Sequence, residues 1–314
     1  MPSLEPSPPA FANPFARYFA ATRPAFLSVT LAGALIGLGS ASADGLKIDL
    51  LKALLTVLFA LIAHAGANVV NDYYDALNGS DAANQQRLFP FTGGSRFIQN
   101  GVLSLRETRL FGYALLAAVI PAGLWLTAQS APGLIWIGLA GLMIGWAYSA
   151  PPLQLMARGI GEAAIVGGWL LIVLGTDFVQ RGTLAALPLV AGLPFALLVA
   201  AILYLNQFPD AQADAAAGKR TLVVRLGPQR ARWGYWLLTG AAYLWLALAL
   251  VAGALPVWCV LGLLPAVPSF MAARQLLTHA GEPNRLTPAI QATIAAANVN
   301  GLLLALGLAL ARWG

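Results

Sequence analysis

The chain has 314 residues, 59% hydrophobic and only 10% charged, with a net charge of +6 and a mean hydropathy of +0.74. Soluble domains carry about a quarter charged residues, so a large soluble α/β enzyme is excluded, and recurrent apolar runs of spanning length specify an all-α, polytopic membrane protein. The single Cys259 excludes an intrachain disulfide and a cysteine metal cluster. The basic residues are dispersed among loops, which argues against a nucleic-acid partner, and no obligate protein partner is evident.

Residues 1–16 are rich in Pro and Ala without a long apolar core. They read as a disordered tail with no cleaved signal peptide, leaving 17–314 as a single transmembrane domain. Nine spans are predicted, over 24–43, 50–72, 107–127, 131–149, 160–179, 187–208, 232–253, 255–273 and 289–311. Pro194, Pro209, Pro256, Pro265 and Pro268 predict kinks and broken ends in the later spans. With these spans, Lys47, Lys52, Arg181 and Arg312 fall on one side and the other fourteen of the 18 basic residues on the N-terminal side. Positive charge accumulates in the cytoplasm, so the N-terminus is placed inside and the C-terminus outside, in the inner (plasma) membrane.

Two acidic segments close apolar runs on the cytoplasmic side. In the first, Asn68, Asn71, Asp72 and Asp75 follow at i, i+3, i+4 and i+7 on one helical face, and Asp81 comes soon after. In the second, Asn206, Asp210 and Asp214 stand at i, i+4 and i+8, and Gly218-Lys219-Arg220-Thr221 follows. Unpaired charges at membrane depth cost several kcal/mol each, so five carboxylates call for a counter-ion. Mg²⁺ takes oxygen ligands and is commonly shared between protein carboxylates and substrate phosphates. Two facing acidic surfaces would clamp a diphosphate through bridging Mg²⁺, with Lys219, Arg220, Arg158 and Arg96 balancing the remaining negative charge.

At this point the chain resembles the UbiA superfamily of intramembrane prenyltransferases. Asn71 and Asp75 match the family's NxxxDxxxD frame, and Asp210 and Asp214 match its second motif. Gly79 stands where the third acid is usual, and Asp81 lies two residues later. That variant, with Gly218-Lys219-Arg220-Thr221-Leu222, is similar to the 1,4-dihydroxy-2-naphthoate branch of menaquinone synthesis. Thr22-Arg23-Pro24 resembles a family motif whose Arg reaches the diphosphate. Tyr148-Ser149-Ala150-Pro151-Pro152 and Arg158-Gly159-Ile160-Gly161-Glu162 resemble its central cytoplasmic loop. Leu153-Gln154-Leu155 replaces the Lys-Arg pair usual in 4-hydroxybenzoate enzymes.

The resemblance implies a nine-helix bundle around a central cavity, and a Mg²⁺-dependent transfer of a polyprenyl group from polyprenyl diphosphate to an aromatic acceptor, with decarboxylation if that acceptor is the naphthoate. Asp75, Asp210, Asp214 and Asn71 would be catalytic. The metal set would be Asp75, Asp81, Asp210 and Asp214, supported by Asn71 and Asp72. Diphosphate contacts fall to Lys219, Arg220, Arg158, Arg23, Arg96 and Tyr148, although Tyr148 equally suits an interfacial anchor. Glu162, Asn68, His64 and Asn206 are acceptor candidates, although Glu162 also reads as a helix-start acid and His64 as a histidine bonded to a neighbouring helix. Asp177, at the outer end of the fifth span, reads as interfacial. Other UbiA-type acceptors are the main alternative: 4-hydroxybenzoate, homogentisate, a tetrapyrrole or an isoprenoid glyceryl phosphate. A cation-coupled transporter is a distant alternative, since its acids belong near the midplane.

Overall fold

Twelve α-helices and no strand occupy the described residues, 5–313, of the computed structural model. They are α1 (Pro14–Ala21), α2 (Pro24–Ala43), α3 (Leu50–Asn78), α4 (Ser80–Ala83), α5 (Leu105–Gln129), α6 (Leu134–Ala147), α7 (Gly161–Arg181), α8 (Leu187–Ala216), α9 (Leu222–Leu226), α10 (Pro228–Val251), α11 (Ala266–His279) and α12 (Thr287–Leu310). Eight segments among them are long and apolar enough to cross a membrane, and α6 is a ninth, shorter apolar helix. The eighth predicted span is broken: a 3₁₀ segment, Val257–Leu263, gives way to α11 at Pro265. Pro121, Pro194 and Pro209 stay inside their helices, as spanning helices allow where neighbours satisfy the freed carbonyls.

Helix starts follow capping chemistry. Asn13 and Asp49 cap α1 and α3 with their side chains, and Ser104 forms a capping box with Glu107 at α5. Exposed Leu54, Trp136, Leu237 and Leu244 face outward, as a lipid-facing surface requires. The most deeply buried span is α8, which packs against α2, α7, α10 and α12 around Phe195, Ile36, Val173, Leu246 and Leu304. Close approach needs glycine at Gly37, where a Cβ would stand 2.4 Å from the Val173 carbonyl oxygen, and at Gly301, where it would stand 2.7 Å from the Phe195 ring.

The expected disordered tail is corrected over residues 5–16; residues 1–4 lie outside the described residues. A 3₁₀ turn, Pro8–Phe11, precedes α1, and Glu5 accepts from Arg87 Nε at 2.6 Å and lies 3.7 Å from Arg96 Nε. Asn100 Nδ2 donates to Glu5 and to the Pro6 carbonyl, and the Phe11 and Phe97 rings stand 5.0 Å apart. Charge pairing and aromatic contact thus tie down a segment whose composition alone signals disorder. Asp177 is corrected too: it is fully buried, accepting from Ser40 Oγ at 2.7 Å and from Arg181 Nε and Nη2 at 2.8 Å each.

Candidate active site

Both motif helices run past their predicted ends, α3 to Asn78 and α8 to Ala216, so the acids stand on regular helix in the last turns. Packing sets the rotation of α3. Gly66 and Val70 lie against Leu116 and Gly112 of α5, at separations that leave no room for a Cβ on either glycine. The opposite face then presents His64, Asn68, Asn71 and Asp75 to one large cavity of about 570 Å³.

Asp81, Asp210, Asp214, Lys219, Arg23, Tyr148 and Asn206 line the same cavity. Two acidic segments more than a hundred residues apart in sequence therefore converge on its mouth. Asp75 and Asp214 share one cation: Lys219 Nζ is 2.6 Å from Asp75 Oδ1 and 3.4 Å from Asp214 Oδ1. Burial alone would pull the Lys219 ammonium down, but the facing Asp75 and Asp214 charges raise it above the ordinary lysine value, so it is a cation here. Asn71 Nδ2 donates to Asp75 Oδ2 at 3.1 Å and to Ser149 Oγ at 3.1 Å, and Asn78 Nδ2 donates to Asp75 Oδ1 at 3.2 Å.

The displaced third acid has a backbone explanation. Gly79 ends α3 at φ 82°, a left-handed value that glycine adopts without cost. The chain then re-enters helix as α4, whose first turn carries buried Asp81. Gly94, at φ 74°, lies so close that a Cβ would stand 2.1 Å from Asp81 Oδ2. The Asp81 carboxyl is held well above its ordinary value, first by burial and then by the charges of Asp75 and Asp72. Among the described residues lining the mouth, four carboxyl groups, those of Asp75, Asp81, Asp210 and Asp214, outnumber the two cations, Lys219 and Arg23.

Several expected members stand elsewhere. Asp72 lies one residue from Asn71, a third of a turn round the helix, and does not line the cavity: it accepts from Arg23 Nη2 at 2.5 Å and from the Ser95 N–H at 3.2 Å. Arg158 is exposed, its Nη2 donating to the Pro152 carbonyl at 2.6 Å, while its own backbone carbonyl accepts from Arg225 Nη2 at 2.7 Å. The Arg220 side chain is also exposed; its backbone N–H bonds the Ala157 carbonyl, which fixes the loop instead. Arg96 is buried but outside the lining, donating to the Asp81 carbonyl at 2.5 Å. Glu162 is buried behind Gln207, which donates to it while accepting from the Val223 N–H.

The acceptor candidates are engaged by neighbours. His64 bonds Thr30 Oγ1 at 2.7 Å and sets its ring edge-on to Trp169, and Asn68 Nδ2 donates to the Thr22 carbonyl at 3.0 Å. Asn206 donates to the Phe91 carbonyl at 3.4 Å, while its buried Oδ1 has no partner. Asn84, which donates to Asp210 Oδ1 at 2.5 Å, and Gln207 were not expected. The signal for both was present, since each is a carboxamide inside or beside an acidic segment, but choosing between carboxamides takes the fold.

Beyond the polar mouth the lining is apolar, from Phe26 and Phe59 past Ile137 and Trp169 to Leu126, Leu134 and Val179 near the other end of the bundle. Gly138 and Gly141 face open space, with nothing within 4 Å of an added Cβ. The sequence pattern of the UbiA prenyltransferase family matches residues 27–294. The chain belongs to that family. This UbiA-family chain is 28% identical to the 1,4-dihydroxy-2-naphthoate octaprenyltransferase of Escherichia coli (strain K12), over 93% of this chain and 94% of that protein. It is 31% identical to the enzyme of the same name from Mycobacterium tuberculosis, over 82% and 85%. A UbiA homologue from Archaeoglobus fulgidus, solved with DMAPP and Mg²⁺, shares the fold with a TM-score of 0.60 at 17% identity, over 92% of this chain and 99% of that one. The UbiA-family protein described here is a multi-pass membrane prenyltransferase.

Proposed function

We propose that this enzyme transfers a polyprenyl group from its diphosphate to 1,4-dihydroxy-2-naphthoate, with loss of CO₂, in menaquinone biosynthesis. The site faces the cytoplasm from the inner membrane, and the enzyme requires Mg²⁺. The observation that carries the transfer chemistry is the meeting of Asp75 and Asp214 on one ammonium at the mouth of an apolar cavity. The names of the relatives that match over most of the chain favour the naphthoate as acceptor.

The residues fit Mg²⁺. Asp75, Asp81, Asp210 and Asp214 offer carboxylate oxygens around one cavity, and Asn71 and Asn84 bond two of them in place. Among the described residues no three acidic, His or Cys side chains are grouped to hold one ion. Each ion would then be completed by waters and diphosphate oxygens, as Mg²⁺ prefers. When bound, Mg²⁺ supplies Lewis-acid neutralisation of the departing diphosphate.

The chain's own residues do the rest. Lys219 adds positive charge beside the leaving group, with Arg23 lining the same mouth. Asn71 orients Asp75. The apolar lining from Phe26 to Trp169 holds the isoprenoid tail and keeps water from the allylic carbon, so that the electron-rich ring captures it. The test is turnover of the purified protein against a panel of acceptors with one prenyl diphosphate, with and without EDTA. EDTA should abolish turnover, and Asp75→Asn and Asp210→Asn should each lower it by about 10³ in folded protein. No product from dihydroxynaphthoate would reject this acceptor, and full turnover in both variants would reject the metal clamp.

A further inference from the structure

We infer that Lys219 is a built-in counter-cation: in the metal-free protein its ammonium bridges the two acidic helices, and it gives up that position when Mg²⁺ binds. This rests on the diphosphate-site reading above and adds a state and an exchange to it. Lys219 is 7% exposed, and its Nζ stands between Asp75 of α3 and Asp214 of α8. Among the described residues lining the mouth, the other cation is Arg23, and that guanidinium is committed to Asp72 at 2.5 Å. Four carboxylates, Asp75, Asp81, Asp210 and Asp214, therefore face one lysine. Two acidic helix ends brought this close without it would repel each other in a poorly solvated space.

The backbone around Lys219 is held while its side chain is long. The Lys219 N–H bonds the Asp214 carbonyl at 2.8 Å, the Arg220 N–H bonds the Ala157 carbonyl at 2.8 Å, and the Val223 N–H bonds Gln207 Oε1 at 3.3 Å. The loop thus stays in place, and exchange requires only rotation of the lysine stem. A divalent ion at Asp75 or Asp214 repels the ammonium from the position it occupies, and an incoming diphosphate offers it new oxygens. Release of the donor would let the ammonium return, so the mouth never holds bare, facing carboxylates. Mg²⁺ and Lys219 therefore compete for the same carboxylate oxygens.

The test uses the purified full chain and Mg²⁺ alone, without diphosphate. The chain has three lysines, Lys47, Lys52 and Lys219, so amine labelling read by mass spectrometry reports Lys219 with exposed Lys47 as reference. In EDTA Lys219 should label slowly, and saturating Mg²⁺ should raise its rate relative to Lys47 by about fivefold or more. In thermal-shift titrations, Lys219→Met should lower the metal-free melting temperature and lower the Mg²⁺ midpoint by about tenfold, because the internal competitor is gone. Lys219→Arg should keep the wild-type midpoint. Labelling unchanged by Mg²⁺, or a Lys219→Met midpoint equal to or above wild type, overturns the proposal. If Lys219→Met does not stay folded in EDTA, wild-type labelling decides alone. Flat labelling with wild-type prenyl transfer intact removes the counter-cation role and leaves the proposed function standing, whereas no Mg²⁺ response and no transfer in wild type overturns both.

Discussion

Gly94→Ala isolates the contribution of Asp81. Gly94 sits at φ 74°, and a Cβ there would stand 2.1 Å from Asp81 Oδ2 and 2.8 Å from its Cγ. Two consequences can be separated. Left-handed backbone costs a non-glycine residue about 1–2 kcal/mol, which lowers the melting temperature by a few degrees. The clash is additional: ordinary contact begins near 3.4 Å, so the carboxylate or the loop must give way by about 1 Å, and a misplacement of that size costs on the order of a hundredfold in rate. Asp81 has little room to retreat, because it is buried, its carbonyl accepts from Arg96, and Gln99 approaches its Oδ2 at 3.5 Å. The control is Gly101→Ala, at φ 70° with nothing within 4 Å of the added Cβ, which carries the backbone cost without the clash. Steady-state prenyl transfer and thermal unfolding of both variants should show similar stability losses, with a drop of about 10² in kcat/KM confined to Gly94→Ala. If Gly94→Ala turns over within about threefold of Gly101→Ala, Asp81 either tolerates displacement or takes no part in the chemistry.

Two further predictions concern the cavity and the N-terminal segment. Gly138→Phe fills open space in the apolar lining, and should lower kcat/KM for long prenyl diphosphates by about tenfold while sparing short ones; a uniform loss across donor lengths would place the tail elsewhere. The Glu5 carboxyl is raised by burial, but hydrogen bonds from Arg87 and Asn100 and the charges of Arg87 and Arg96 outweigh that and hold it below its ordinary value. Its folded-state value lies below its unfolded one, so the tie is present above the ordinary carboxylate range and is lost as pH falls through the lowered value. Limited proteolysis near residue 12 should therefore accelerate on acidification in wild type. Glu5→Gln should be cleaved faster at neutral pH with little further change on acidification, and equal cleavage of the two proteins at neutral pH would refute the tie.

Much of this architecture was legible before any coordinate. The spans are a local property: about 20 apolar residues carry their own signal whatever they pack against, and the starts predicted at 24, 50 and 187 coincide with those of α2, α3 and α8. The pairing of Asn71 with Asp75, and of Asp210 with Asp214, follows from four-residue spacing on a helix, and Asn71 does bond Asp75. Where periodicity was the sole guide it put Asp72 on the same face, and there it misled.

Membrane class, the approximate number of spans and the two motif pairs are thus written in the sequence, because each depends on residues within a turn or a span of one another. The tertiary structure decided which charges face one another. Packing of Gly66 and Val70 against α5 turns Asp75 into the cavity and leaves Asp72 to Arg23. The loop leaves Arg158 exposed on the Pro152 carbonyl, and the Glu5 ties anchor a segment whose composition signals disorder. Lys219 meets Asp75 across a gap of more than a hundred residues in sequence. Such meetings depend on the rotation and depth of separately specified helices, which close side-chain packing sets to within an ångström and local pattern does not encode.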